Sequence, residues 1–202
     1  MEHEAITILD FESVLIPEIW IEIAEYFGIE ELHITTRQIS DFDKLMKHRI
    51  DTLRENKLKL ADLEEAINEI EPIDGAASFL EWLHDRTEVV IISGSFIQFV
   101  RPFLPKLNFD TFYCHELITD REGYITDFKK RTKGDKKNYI KEFKGNTSKT
   151  IAVGDSYNDA GMLKEADVGI LFNASEKVIE DLPGFKTVFS YNELKQAIEE
   201  EI

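Results

Sequence analysis

The chain has 202 residues, enough for one domain or for a core domain carrying a small inserted one, and at 43% hydrophobic it can bury a real core. Its formal net charge of -16 argues against nucleic acid or an anionic membrane as the main partner, and an anionic ligand would need a local positive site. The single cysteine, Cys114, excludes an intrachain disulfide, suits a reducing compartment and sits in a run where packing is its expected role.

No apolar run approaches the ~18 residues of a membrane span. Met1-Glu2-His3-Glu4 has neither the basic start nor the long apolar stretch of a signal peptide, so the cytoplasm is the expected location. Monomer and homodimer both stay open.

The first element is the apolar, β-branched run Ile6-Thr7-Ile8-Leu9, of the kind that makes a strand buried on both faces. It ends in two carboxylates, Asp10 and Glu12, whose alternate positions place them on one face of an extended chain. After Pro17 the pattern turns helical. Ile19, Ile23 and Phe27 form one stripe, with Gly28 as the stop. A second helix is expected after the cap Ser40, with Phe42, Leu45, Met46 and Leu53 on its apolar face and Arg49 inside that face. A third starts near Asp62, buries Leu63, Ile67 and Ile70, and ends before Pro72. Residues 17–74 therefore read as a small helical unit without a strand.

From Gly75 onward helices and strands alternate. A helix through Phe79, Leu80 and Leu83 leads to a buried strand, Glu88–Ser93, and Gly94-Ser95 is expected to open a helix cut by Pro102 and Pro105. Two short runs around Asp120-Arg121-Glu122-Gly123 suggest a hairpin. A Lys-rich helix, about Gly134 to Phe143, precedes the strand Thr150–Val153 and the loop Gly154-Asp155-Ser156-Tyr157-Asn158-Asp159. A helix through Met162, a strand Val168–Phe172, a helix near Glu176–Leu182, a strand Thr187–Phe189 and a helix from Asn192 complete the chain. This alternation predicts an α/β fold, a Rossmann-like parallel sheet with helices on both faces and the helical unit inserted after the first strand. The expected division is 1–16 with 75–202 as core and 17–74 as cap.

In such a sheet the strand ends lie on one edge, which brings Asp10, Glu12, Ser93-Gly94, Asp155 and Asp159 together. Carboxylates gathered from separate strands repel one another unless a hard, oxygen-seeking cation such as Mg²⁺ sits among them. Ser93 and the Gly94 N–H offer a cradle for phosphate oxygens. One of the lysines at 133, 136 and 137 could neutralise phosphate and carboxylate, the rest forming a solvated face. Taken singly, each of these stretches also reads as an ordinary cap or turn.

The motifs in order are Asp10-Phe11-Glu12-Ser13-Val14, Ile92-Ser93-Gly94, the lysines around Lys133-Gly134-Asp135-Lys136, and Gly154-Asp155-Ser156-Tyr157-Asn158-Asp159. Together they resemble the haloacid dehalogenase superfamily of aspartate-nucleophile phosphatases over nearly the whole chain. The helical unit is similar to the cap of the phosphoserine phosphatase branch. Val14 to Trp20 and the last motif look most like its members that double as homoserine phosphotransferases. One departure stands out: most of the superfamily carries aspartate where this chain has Glu12, and the transferase-capable group shares the glutamate.

The resemblance implies hydrolysis of L-phosphoserine, with homoserine as a second acceptor. Asp10 would be the nucleophile and Glu12 the acid and base. Mg²⁺ would be held by Asp10, the Glu12 backbone carbonyl and Asp155, with Asp159 either a direct ligand or a support behind them. Ser93, Gly94 and Lys133 or Lys136 would bind the phosphoryl group, and Glu18, Arg49 and Asn158 the amino-acid part. Arg49 is independently unusual, because a guanidinium on an apolar stripe must pair or snorkel. Two rivals remain: a phosphatase for another small phosphomonoester, and a non-catalytic protein that binds a phosphate ligand.

Overall fold

The computed structural model describes residues 4–36, 38–39, 41–109, 111–130, 136–145 and 148–202. Its strands are β1 (Ala5–Leu9), β2 (Glu88–Phe96), β3 (Phe112–Thr119), β4 (Ile125–Lys129), β5 (Lys149–Gly154), β6 (Val168–Phe172) and β7 (Lys186–Val188). They form one sheet in the order β4-β3-β2-β1-β5-β6-β7. All neighbours are parallel except the hairpin pair β3 and β4. β1 is buried along its whole length, as its unbroken apolar run requires.

The chain leaves β1 toward β2 on one side and returns to β5 on the other. That reversal opens a crevice at the carboxyl end of β1, the usual ligand position in open α/β sheets. Period-2 alternation sends Ile6, Ile8, Val90, Ile92 and Ala152 to one face and Leu9, Val89, Ile91, Ile151 and Val153 to the other.

The first face is covered by α7 (Lys137–Phe143), α8 (Ala160–Glu165) and α9 (Glu176–Asp181). The second is covered by α4 (Ala76–His84) and α10 (Tyr191–Glu199), and its apolar cluster runs on into α1 (Ile19–Phe27), α2 (Phe42–Glu55) and α3 (Leu60–Asn68). Among the described residues no helix is long and apolar enough to cross a membrane.

Helix boundaries follow the local signals with small shifts. Gly28, at φ 66°, closes α1 with its N–H on the Ala24 and Glu25 carbonyls, a left-handed position that suits glycine. The α2 cap is Asp41, which accepts from the Asp43 and Lys44 N–H groups; the expected cap Ser40 lies outside the described residues. Helix α3 begins at Leu60, and Asp62 folds back to accept from the Lys59 N–H at 2.7 Å, so Ile70 falls beyond its end. The expected hairpin is present, with Gly123 at φ 91°, and it rests on the inserted helices. Leu60 N–H donates to Gly123 O at 3.0 Å, Arg54 pairs with Asp120 at 3.4 Å, and Phe42 packs edge-on to Phe128.

One expectation needs correction. Gly94-Ser95 does not open a helix: β2 continues to Phe96, which pairs with His115 of β3 after a register shift. The next helices are short, α5 (Ile97–Val100) and α6 (Leu104–Leu107), joined by a 3-10 turn over Arg101–Phe103. The backbone at Ser93-Gly94-Ser95 bulges within a strand because β3 offers it hydrogen-bonding partners on either side.

Candidate active site

The last step of the β1–β5 ladder is the Asp10 N–H donating to Val153 O at 2.9 Å, which fixes Asp10 at the rim of the sheet. Its carboxylate oxygen Oδ1 accepts from the Phe11 N–H at 2.7 Å and pairs with Lys136 Nζ at 2.7 Å. The same ammonium reaches Asp159 Oδ1 at 2.7 Å. Asp159 is fully buried, and its Oδ2 accepts from the N–H groups of Asp155 (3.1 Å) and Ser156 (3.2 Å). Gly154 makes this possible: a Cβ there would stand 2.4 Å from the Asp159 Cβ and Cγ.

Oxygens of Asp10, Asp155 and Asp159 all lie within 4.8 Å of one another. Among the described residues, these three carboxylates share one neighbouring cation, Lys136. Burial and the neighbouring Asp159 charge push Asp10 up to about 7, against the pull of Lys136. Asp155 rises to about 8, first through burial and then through Asp10 and Asp159. Lys136 is held above its ordinary value, because the attraction of Asp10 and Asp159 outweighs its burial. An all-oxygen donor set, buried at Asp10 and Asp159 and half-buried at Asp155, with little positive charge among the described residues, fits a hard divalent cation such as Mg²⁺.

Beside this cluster Ser93 is buried, and its Oγ accepts from the Ser95 N–H at 3.0 Å, leaving the hydroxyl proton to donate elsewhere. Gly94 is exposed, with nothing within 4 Å of where a Cβ would be, so the space over its backbone is open.

Glu12 leaves the rim on a tight loop in which Ser13 adopts φ 63° and Val14 O accepts from the Tyr191 hydroxyl at 2.7 Å. Its Oε2 accepts from the Ile19 N–H at 3.2 Å, in the first turn of α1. Burial, followed by the Glu18 charge, pushes it up to about 8. Arg49 is 6% exposed, lies 4.4 Å over the Trp20 ring, and donates to Ile34 O at 3.1 Å, while its Nε has no partner. Burial lowers it to about 10, opposed by the fields of Glu12 and Glu18. A guanidinium kept out of water without a carboxylate partner is ready for an anion.

The sequence profile of the haloacid dehalogenase-like hydrolases matches residues 3–167. The chain belongs to this family. Its relatives place it in the phosphoserine phosphatase branch. It is 47% identical to the phosphoserine phosphatase of Pseudomonas syringae pathovar tomato over 191 residues, covering 95% of this chain and 81% of that one. It is 45% identical to the phosphoserine phosphatase ThrH of Pseudomonas aeruginosa, covering 95% and 93%. Its fold matches a phospho-aspartyl intermediate analogue of a phosphoserine phosphatase with a TM-score of 0.77 and 25% identity, covering 98% and 99% of the two chains.

For a hydrolase of this family the expected residues distribute as follows. Asp10, Asp155, Asp159 and Lys136 converge, Glu12 lies within the field of Asp10, and Ser93 and Gly94 lie on β2, the strand paired with β1. Lys133 lies outside the described residues. Glu18 is exposed and accepts from the Ser13 hydroxyl at 3.1 Å, and Asn158 is exposed on the turn Tyr157–Asp159. Sequence reasoning passed over Ser95, 3% exposed and close enough to Glu12 to favour its charged form, though its hydroxyl makes no hydrogen bond of good geometry. It also passed over Trp20 beneath Arg49. The signal for Ser95 was its alternation with Ser93, obscured by the helix expected there.

Proposed function

We propose that the chain is a Mg²⁺-dependent phosphoserine phosphatase that works through an aspartyl phosphate on Asp10 and also transfers the phosphoryl group to homoserine. The observation that carries the substrate is Arg49, a buried guanidinium with an unpaired Nε facing the fields of Glu12 and Glu18. It suits the substrate carboxylate, and the exposed Glu18 suits the ammonium. The similarity to named phosphoserine phosphatases along nearly the whole chain supports the same substrate.

In the first half-reaction an Asp10 oxygen attacks phosphorus and the bond from phosphorus to the serine oxygen breaks. Glu12, kept protonated near neutrality by burial, gives its proton to that oxygen. In the second half-reaction Glu12 takes a proton from water, whose oxygen attacks phosphorus, and the Asp10–phosphorus bond breaks to restore the carboxylate. A homoserine hydroxyl would follow the same course.

Lys136 holds Asp10 and neutralises the phosphoryl oxygens, which the Ser93 hydroxyl and the Gly94 N–H also receive. Asp10, Asp155 and the Glu12 backbone carbonyl would hold Mg²⁺. Asp159 spends its oxygens on Lys136 and on backbone N–H groups, which favours a supporting role behind them. A bound Mg²⁺ would supply the positive charge that the carboxylates and the phosphoryl oxygens lack.

Residues 17–74 would serve as the cap that brings Arg49 and Trp20 over the substrate, in a chain working in the cytoplasm. The test is phosphate release from L-phosphoserine with Mg²⁺, with and without homoserine. Turnover is expected, together with O-phosphohomoserine when the acceptor is present. Asp10→Asn should abolish both in a folded protein, and a variant within tenfold of the parent would remove Asp10 as nucleophile.

A further inference from the structure

Among the described residues, two buried side-chain atoms lack a hydrogen-bond partner: Arg49 Nε and Ser95 Oγ. The reading above uses the first. Ser95 has no role in it, although a buried hydroxyl without a partner is uncommon and asks for an explanation.

Ser95 stands on the bulge of β2, next to the central strand β1 whose outgoing loop carries Glu12. Its N–H is already spent on the Ser93 hydroxyl, so the side chain alone remains to be satisfied. Among the described residues, a titratable group near it is the Glu12 carboxyl. That carboxylate also accepts through Oε2 from the Ile19 N–H, in the first turn of α1. Glu12 thus has a backbone donor from α1 and, nearby, an unsatisfied hydroxyl from the sheet.

We propose that Ser95 is a positioning residue for proton transfer: its hydroxyl turns to donate to Glu12 and, together with the Ile19 N–H, locks the carboxyl in the rotamer that meets the departing and attacking oxygens. This rests on the reading of Glu12 as acid and base. A hydroxyl suits the task because it can donate to the acid before proton transfer and to the carboxylate after it. Because Ile19 belongs to α1, the same arrangement ties the orientation of Glu12 to the placement of the inserted helices.

The proposal separates steps that need a proton from those that do not. Serine is a poor leaving group and needs protonation, whereas p-nitrophenolate leaves without it. The experiment is rapid-mixing kinetics of parent, Ser95→Ala and Ser95→Thr with Mg²⁺, on L-phosphoserine and on p-nitrophenyl phosphate, with Glu12→Gln alongside. Ser95→Ala should slow phosphoryl transfer from phosphoserine by about 10- to 100-fold. The p-nitrophenol burst should stay within about twofold and become more pronounced as the second step slows, and Ser95→Thr should recover most of the loss.

Equal slowing on both substrates would reduce Ser95 to a packing role and overturn the proposal, as would an unchanged rate on phosphoserine. If Ser95→Ala does not fold, Ser95→Cys, similar in size but a poor donor, carries the same comparison. A parent without phosphoserine turnover, or an unaffected Glu12→Gln, would overturn the parent reading together with this one. An impaired Glu12→Gln beside a normal Ser95→Ala would overturn the Ser95 proposal alone.

Discussion

Gly154→Ala adds a single methyl group that touches no substrate, yet it should dismantle the site. The new Cβ would stand 2.4 Å from the Asp159 Cβ and Cγ and 2.6 Å from its Oδ2. Asp159 is fully buried, so it has nowhere exposed to retreat. Restoring an ordinary contact requires a displacement of about 1 Å, which would stretch the 2.7 Å Lys136–Asp159 bond beyond hydrogen-bonding range. Breaking a buried pair costs about 3–5 kcal/mol, and overpacking adds about 1–3 kcal/mol. A loss of about 4–8 kcal/mol corresponds to a melting temperature lower by roughly 8–32 °C for a chain of this size.

Lys136 and Asp10 would shift with Asp159, and an error of about 1 Å at reacting groups lowers turnover by roughly 100-fold. Thermal unfolding followed by circular dichroism, together with phosphate release, measures both effects. Gly94→Ala is the control, because nothing lies within 4 Å of its Cβ position. It should melt with the parent but lose turnover by crowding the phosphoryl group. A Gly154→Ala protein that melts within about 3 °C of the parent and keeps a third of its activity would refute the reasoning.

Arg49→Ala should lower kcat/KM for L-phosphoserine by about 30- to 150-fold relative to phosphoethanolamine, the 2–3 kcal/mol expected when a buried charge pair is lost; equal losses on both esters would make Arg49 structural. His115, packed near Phe42 and Phe96, is lowered from 6.5 to about 4, first by burial and then by Lys130. Its folded state therefore resists protonation more than its unfolded state, so its contribution to stability is present above about 6.5 and lost as the pH falls toward 4. Urea titrations of the parent and His115→Phe across that range should differ in this sense. The raised carboxylates Asp10, Glu12 and Asp155 carry the opposite sign but cancel in the difference. A difference independent of pH would exclude His115 as the source.

The elements that the sequence determined by itself are those whose signal is local. A run such as Ile6-Thr7-Ile8-Leu9 is a strand buried on both faces wherever it packs, and its end puts Asp10 at the rim of the sheet, while Glu12 follows on a loop. The stripe of α2 marked Arg49 as out of place, because a helix face can be read from spacing alone. Alternating strands and helices were enough for the parallel sheet and hence for the gathering of carboxylates on one edge.

Tertiary structure decided what depends on partners far along the chain. Gly94-Ser95 carries the local marks of a helix start, but β3 supplies the ladder that keeps it a strand and leaves Ser95 facing Glu12. Lys136 reaches Asp10 and Asp159 because α7, which follows it, buries Tyr139 and Ile140 in the apolar cluster with Ile6, Ile8 and Ala152 of the sheet, a geometry that a cluster of lysines cannot reveal. Gly154 reads as a simple turn residue until the buried carboxylate of Asp159 is placed against its backbone. Each of these is a close contact between atoms distant in sequence or turned by a fold, and hydrophobic periodicity carries no information about them.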